Sequence, residues 1–229
     1  MSHPKFVNIG ACVFDAYGTL FDFNAAAARF EAELGGKAAK LSEIWRAKQL
    51  QYTWLRSLMD DYADFWTVTG EALDYALDAV DINDEEIRSK LLNAYLTLDA
   101  YPEVPEMLQT LKSAGVRTAI LSNGSPVMLD AAVKAAGLED LLDATLSVED
   151  VGIFKPHRSV YQLAVGVLGI SAERVSFQSS NSWDAAGAAH FGFRVAWCNR
   201  FGQPEEQLPG KPDVQIKTLA ELPPLLGLG

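Results

Sequence analysis

The sequence predicts an α/β fold: a doubly wound, mainly parallel sheet (a Rossmann-like core) with a helical cap subdomain inserted after the first strand. Three observations predict it. Short apolar runs without polar alternation recur along the chain, as in strands buried on both faces. From residue 100 onward, amphipathic helical stretches separate those runs. Between residues 24 and 99 the alternation stops, and the pattern is helical throughout.

The first strand is expected over Ile9 to Phe14, ending on Asp15 and a turn that contains Gly18. Helices follow over 25–34, 42–58, 63–79 and 84–97. Ser42 is placed to cap the second, and Glu43 and Glu86 fall in first turns, where negative charge suits the helix dipole. Beyond residue 100, strands are expected over 116–121, 144–147, 174–178 and 194–198, with a short one at 213–216. Helices over 104–114, 126–136, 159–168 and 183–191 connect them. Gly115, Gly137, Gly169 and Gly192 each follow a helical stretch, as C-capping glycines do. Residues 1–23 and 100–229 therefore read as a catalytic core, and 24–99 as a cap folded over the carboxyl edge of its sheet.

Composition narrows the function. The 229 residues are 49% hydrophobic and 21% charged, which is ordinary for a globular chain that buries a sizeable core. With 19 basic against 30 acidic residues, the net charge of −11 argues against a nucleic-acid partner and against docking on anionic membranes. No apolar run reaches the length of a membrane span, and the N-terminus lacks the apolar segment of a signal peptide. Cys12 and Cys198 lie in apolar runs and read as buried thiols in a reducing cytoplasm. His157 reads as a surface turn residue and His190 as a helix-packing one. No Gly-x-Ser-x-Gly elbow is present to suggest a serine hydrolase.

Ligands of open α/β sheets bind beyond the carboxyl ends of the strands. Those ends offer Asp15 and Thr19, then Ser122 and Asn123, then Lys155, then Ser179, Ser180, Asn181 and Asp184. An Asp at a strand end is often only a turn residue. With Lys155 to keep it ionised it can also be a nucleophile that forms a covalent intermediate, and Thr19 can donate to it.

Four segments carry a resemblance. Phe14-Asp15-Ala16-Tyr17-Gly18-Thr19-Leu20-Phe21-Asp22, Leu121-Ser122-Asn123-Gly124, Phe154-Lys155-Pro156 and Ser179-Ser180-Asn181-Ser182-Trp183-Asp184 look like the four motifs of the haloacid dehalogenase superfamily. The likeness runs from about residue 9 to about 200. The insertion segment from Ile44 to Arg56 is similar to the cap of the L-2-haloacid dehalogenases within it. Phosphatases of the superfamily carry a second Asp two residues after the nucleophile, to protonate the leaving group. Here Tyr17 stands there. Ser180 stands where those enzymes carry a Mg²⁺-binding carboxylate, and serine is a poor anchor for a hard cation.

The resemblance implies a hydrolytic enzyme that converts short-chain L-2-haloalkanoic acids to D-2-hydroxy acids without metal or cofactor. Asp15 would displace the halide from C2 with inversion and form an ester. Lys155 and Ser122, with the backbone N–H groups after Asp15 at Ala16 and Tyr17, would hold the nucleophile and the substrate carboxylate. Arg46 would receive the departing halide, with Asn123 as a second donor. Ser179, Asn181 and Asp184 would orient Lys155 and the hydrolytic water, and Tyr161 would join that network. Tyr17, Leu50, Phe65 and Trp183 would wall the pocket. Ala47 stands where a longer polar side chain is expected, and Gln178 where an apolar one is. The partners implied are an anionic 2-haloacid, a halide ion and a second copy of the chain, the last suggested by apolar residues from Tyr52 to Met59. Two other readings stand beside this one: a small-molecule phosphatase of the same fold, and a catalytically silent binding module.

Overall fold

The computed structural model describes residues 3, 6–23 and 28–228. Strands β1 (Ala11–Phe14), β2 (Arg117–Ser122), β3 (Ala144–Ser147), β4 (Val175–Ser179), β5 (Arg194–Cys198) and β6 (Val214–Ile216) form a six-stranded sheet in the order β3-β2-β1-β4-β5-β6. Every neighbouring pair is parallel. β1 lies inside the sheet with all four of its residues buried, as its unbroken apolar run requires. The chain leaves β1 for β2 on one side and later reaches β4 on the other. That reversal opens a crevice at the carboxyl ends of these three strands.

Helices α1 (Glu31–Leu34), α2 (Ala38–Leu58), α3 (Phe65–Ala79) and α4 (Glu85–Ala94) follow β1 before the strand–helix alternation begins. Helices α5 (Val104–Ser113), α6 (Pro126–Ala135), α7 (Arg158–Leu168), α8 (Ser182–Phe191) and α9 (Leu222–Leu225) belong to the alternating part. α5 packs on β2, α6 on β3, and α8 on β4 and β5. α2 packs along α3, and α4 against α3. Asp64 caps α3 by accepting the Thr67 N–H at 3.0 Å. Asp84 caps α4 by accepting the N–H groups of Glu86 and Ile87.

Three helices differ from the sequence expectation by more than two residues at one end. α2 begins a turn before Ser42, because Ala38, Ala39, Lys40 and Leu41 favour helix and Ala38 and Leu41 are buried. Ser42 and Glu43 are thus interior positions, and neither caps the helix nor meets its dipole. α4 stops at Ala94; the N–H groups of Tyr95, Leu96 and Thr97 reach back three residues instead of four and tighten the chain out of the helix. Of the helix expected over 25–34, α1 is the regular part, and residues 24–27 lie outside the described ones. Cys12 and Cys198 are free and buried. Among the described residues, no helix is long and apolar enough to cross a membrane.

Candidate active site

Asp15 is the first residue past β1. Its N–H still pairs with the Gln178 carbonyl at 2.9 Å, extending the β1–β4 ladder and aiming the side chain into the crevice. The turn that follows is closed by the N–H groups of Thr19, Leu20 and Phe21, all directed at the Ala16 carbonyl. Gly18 holds a φ of +89°, and a Cβ there would lie 3.0 Å from the Phe23 ring. Both conditions require glycine.

The two oxygens of Asp15 are held unequally. Oδ2 accepts from Asn181 Nδ2 at 2.8 Å, Thr19 Oγ1 at 3.1 Å and Ser179 Oγ at 3.5 Å. Oδ1 accepts from Lys155 Nζ at 3.1 Å. Thr19 donates to Asp15 because its oxygen already accepts the Ser180 N–H at 2.8 Å. Lys155 Nζ also reaches Asp184 Oδ2 at 2.8 Å, and Asp184 Oδ1 accepts the Tyr161 hydroxyl at 2.8 Å. The Lys155 and Asp184 side chains are 1% and 0% exposed. Burial by itself would lower the Lys155 ammonium, but the charges of Asp15 and Asp184 outweigh it and hold the group above its ordinary value. Burial pushes the Asp184 carboxyl up, against the pull of Lys155.

Arg46 faces this network from α2. Its Nη2 donates to Asn181 Oδ1 at 3.0 Å and its Nη1 to Gln49 Oε1 at 2.7 Å. The guanidinium stands 4.8 Å from the centroid of the Phe23 ring. Among the described residues, no carboxylate forms an ion pair with it. Asn181 therefore links nucleophile and cation, donating to one and accepting from the other.

The apolar surroundings come from both parts of the chain. Tyr17 and Phe65 are buried with ring centroids 6.0 Å apart, and Tyr95 lies 5.9 Å from Tyr17. Trp183 meets Trp54 of α2 edge-on at 5.3 Å. Leu50 and Trp183 join Gly18, Phe23, Arg46 and Asn181 around a cavity of about 410 Å³. Gly124 brings the loop after β2 against Tyr17, where a Cβ would come within 2.8 Å of the ring.

Asn123 takes part through its side-chain oxygen, which accepts the Lys155 N–H at 3.0 Å and so fixes the Lys155 loop. Ser122 is buried beside it, its hydroxyl oxygen accepting the Gly124 N–H at 3.0 Å and not engaging Asp15. Ala16 is buried in the turn itself. Ala47 is exposed, on the rim of a neighbouring apolar cavity that also includes Phe23 and Arg46. Gln178 is buried, its amide donating to Ser176 Oγ within the same strand. His157 caps α7 from the surface. His190 is exposed at the end of α8, not packed beneath it; the face of α8 that meets the sheet is supplied by Ala185 and Ala188.

The donor set bears on metal chemistry. Among the described residues, no three His, Cys, Asp or Glu side chains are grouped to hold a metal ion. Between Asp15 and Asp184, where a cation would be drawn, lies the Lys155 ammonium.

A family model described as haloacid dehalogenase-like hydrolase matches residues 9–192. The chain belongs to the haloacid dehalogenase-like hydrolases. It is 47% identical over 220 residues to (S)-2-haloacid dehalogenase 4A of Burkholderia cepacia, covering 96% of this chain and 95% of that one. It is 46% identical over 219 residues to (S)-2-haloacid dehalogenase 1 of Pseudomonas sp. strain CBS-3, covering 95% and 96%. A solved L-2-haloacid dehalogenase from Xanthobacter autotrophicus, with chloropropionic acid covalently bound, superposes with a TM-score of 0.90 at 40% identity, covering 96% of this chain and 98% of that one.

For this haloacid dehalogenase-like hydrolase, sequence reasoning named Asn181 but missed two other residues that hold Arg46. Gln49 is buried, three positions along α2, and Phe23 stacks on the guanidinium. The i,i+3 spacing of Arg46 and Gln49 was available in the sequence. Nothing local marked Phe23.

Proposed function

We propose that the chain is a hydrolase of carbon–halide bonds that converts short-chain L-2-haloalkanoic acids to D-2-hydroxy acids. The observation that carries this reading is the unequal tethering of Asp15 opposite Arg46, with which no carboxylate among the described residues forms an ion pair. Among the described residues Oδ2 is occupied by three donors, whereas Oδ1, bound by Lys155 alone, keeps a lone pair for attack. In the first step Oδ1 bonds to C2, the carbon–halogen bond breaks, and its electron pair leaves with the halide toward Arg46. Inversion follows from attack opposite the leaving group. Ser122 and the N–H groups of Ala16 and Tyr17 receive the substrate carboxylate, with Asn123 beside the halide. Tyr17, Leu50, Phe65 and Trp183 exclude water, which strengthens both cations.

In the second step a water attacks the ester carbonyl carbon of Asp15. One of its protons passes to Asp184, the bond between that carbon and Oδ1 breaks, and Asp184 returns the proton to the departing alkoxide of the hydroxy acid; the second proton of the water is lost to solvent, which restores the Asp15 carboxylate. Tyr161 and Lys155 hold Asp184, while Ser179 and Thr19 steady Asp15. No step calls for a metal: a halide leaves without a proton, and Lys155 supplies the positive charge between the carboxylates. The names of the relatives support the substrate class, and the covalent chloropropionic acid in the Xanthobacter enzyme supports the ester. Residues 24–99 act as the cap over the core of 1–23 and 100–229, delivering Arg46, Leu50 and Phe65. Two buried free thiols suit a reducing compartment, in keeping with a cytoplasmic enzyme.

The test is halide release from L- and D-2-chloropropionate, with and without EDTA. Release from the L-form alone, unchanged by EDTA, is expected. Turnover of a phosphate ester that depends on added Mg²⁺ would return the phosphatase reading, and no turnover of either would favour a binding module.

A further inference from the structure

We propose that Gln49 is a positioning residue for the halide-receiving cation: it fixes Arg46 through a neutral amide, so that the guanidinium is held without being discharged. The inference rests on the dehalogenase reading above.

The donors and acceptors around Gln49 permit one orientation of its amide. Thr69 Oγ1 donates to the Phe65 carbonyl at 2.6 Å, so toward Gln49 its oxygen is free only to accept. Gln49 Nε2 accordingly donates to Thr69 Oγ1 at 2.8 Å, which turns Oε1 toward Arg46 Nη1 at 2.7 Å. Gln49 and Thr69 are both fully buried, so the arrangement is not open to exchange with solvent. The Tyr95 hydroxyl adjoins the same amide.

Asn181 is locked by the same logic. Its Nδ2 faces two groups that only accept, the Asp15 carboxylate and the Tyr17 carbonyl, which leaves Oδ1 for Arg46 Nη2. The guanidinium is thus gripped at both ends by carbonyl oxygens whose orientations are set elsewhere. An amide oxygen supplies hydrogen-bond geometry without a compensating charge, so Arg46 keeps its full charge for a halide. A carboxylate at position 49 would supply similar geometry and cancel that charge. The relay ends on the backbone carbonyl of Phe65, so the orientation of Arg46 is anchored to the first turn of α3.

The test compares wild type, Gln49→Glu and Gln49→Met on L-2-bromo- and L-2-chloropropionate, with kcat, KM and thermal midpoint recorded for each. Charge reaches the halide only in the transition state, so the effect belongs in kcat. Gln49→Glu should lower kcat on the chloro substrate by about tenfold or more, with a smaller loss on the bromo substrate and KM changed by less than about threefold. Gln49→Met releases the grip but leaves the charge. It should lose several-fold in kcat, less than Gln49→Glu, again more on the chloro substrate. A role in packing alone predicts otherwise: Gln49→Met, of similar volume, would keep wild-type kcat, or both substrates would suffer equally in either variant. Either result overturns the proposal, and the Gln49→Met result decides it even where Gln49→Glu does not fold. Wild-type turnover with unaffected variants removes only the role of Gln49. A wild type that releases no halide removes the dehalogenase reading and this inference together.

Discussion

Replacing Lys155 by Met tests the buried charge network directly. Lys155 Nζ stands 3.1 Å from Asp15 Oδ1 and 2.8 Å from Asp184 Oδ2, and its side chain is 1% exposed. Methionine fills similar volume but leaves two buried carboxylates facing each other without a cation. Removing one partner of a buried ion pair costs about 3–5 kcal/mol. For a chain of this size that corresponds to a fall of roughly 6–20 °C in Tm. The deficit should depend on pH in a known sense. Burial already raises the Asp184 carboxyl, and removing Lys155 takes away the charge that opposes that rise. The deficit is then absent below the unfolded carboxyl value and grows as pH rises through the raised folded one. Thermal melts of wild type and Lys155→Met between pH 4 and pH 8 measure it, and the gap should narrow toward the acid end. A further Asp184→Asn change should recover part of the loss at pH 7, because one of the two uncompensated charges is gone. A Lys155→Met protein that melts within about 2 °C of wild type at pH 7 would refute the reasoning, since its magnitude rests on removal of a partner from a buried pair.

Arg46→Lys loses the planar fork that Gln49 and Asn181 grip, a loss of about 1.5–3 kcal/mol or roughly 10- to 150-fold in kcat. Single-turnover rates should show chloride release impaired more than bromide release. Because burial raises the Asp184 carboxyl, the acid limb of the kcat–pH profile should fall above the ordinary Asp value of 3.8. Activity is lost as pH falls through that raised value, because the base of the second step takes up a proton; a limb at or below 3.8 would detach Asp184 from that role. Burial pushes the Cys12 thiol up to about 12, so mass spectrometry after iodoacetamide at pH 8 should find it unmodified in the native protein and alkylated after denaturation. Leu55 and Leu58 of α2 and Met59 just past its end are 43%, 81% and 63% exposed. Light scattering should accordingly report twice the 24.9-kDa chain mass, and Leu58→Asp should shift that value toward the monomer.

Much of this protein was determined by its sequence alone. The unbroken apolar run before Asp15 required a doubly buried strand, and a strand ending on Asp, Gly and Thr announced a site at its carboxyl end. The alternation after residue 100 dictated a parallel sheet, because each strand needs a crossover to return in the same direction. Lys155 and Asp184 were legible as strand-end polar residues, since such groups are tolerated there only where they meet partners. The tertiary structure alone decided how those groups are shared. Which oxygen of Asp15 takes three donors, and which takes the single Lys155 ammonium, depends on Asn181, Thr19, Ser179 and Lys155 converging from separate segments. The orientation of the Gln49 amide depends on where the proton of Thr69 goes, in a different helix. The bond from Arg46 to Asn181 spans 135 residues and forms where Trp54 of α2 meets Trp183 of α8, and Phe65 of α3 meets Tyr17 in the turn after β1. Local patterns encode which residues are buried and where strands end. Hydrogen-bond direction and charge compensation are properties of the assembled neighbourhood, set when segments distant in sequence share one buried volume.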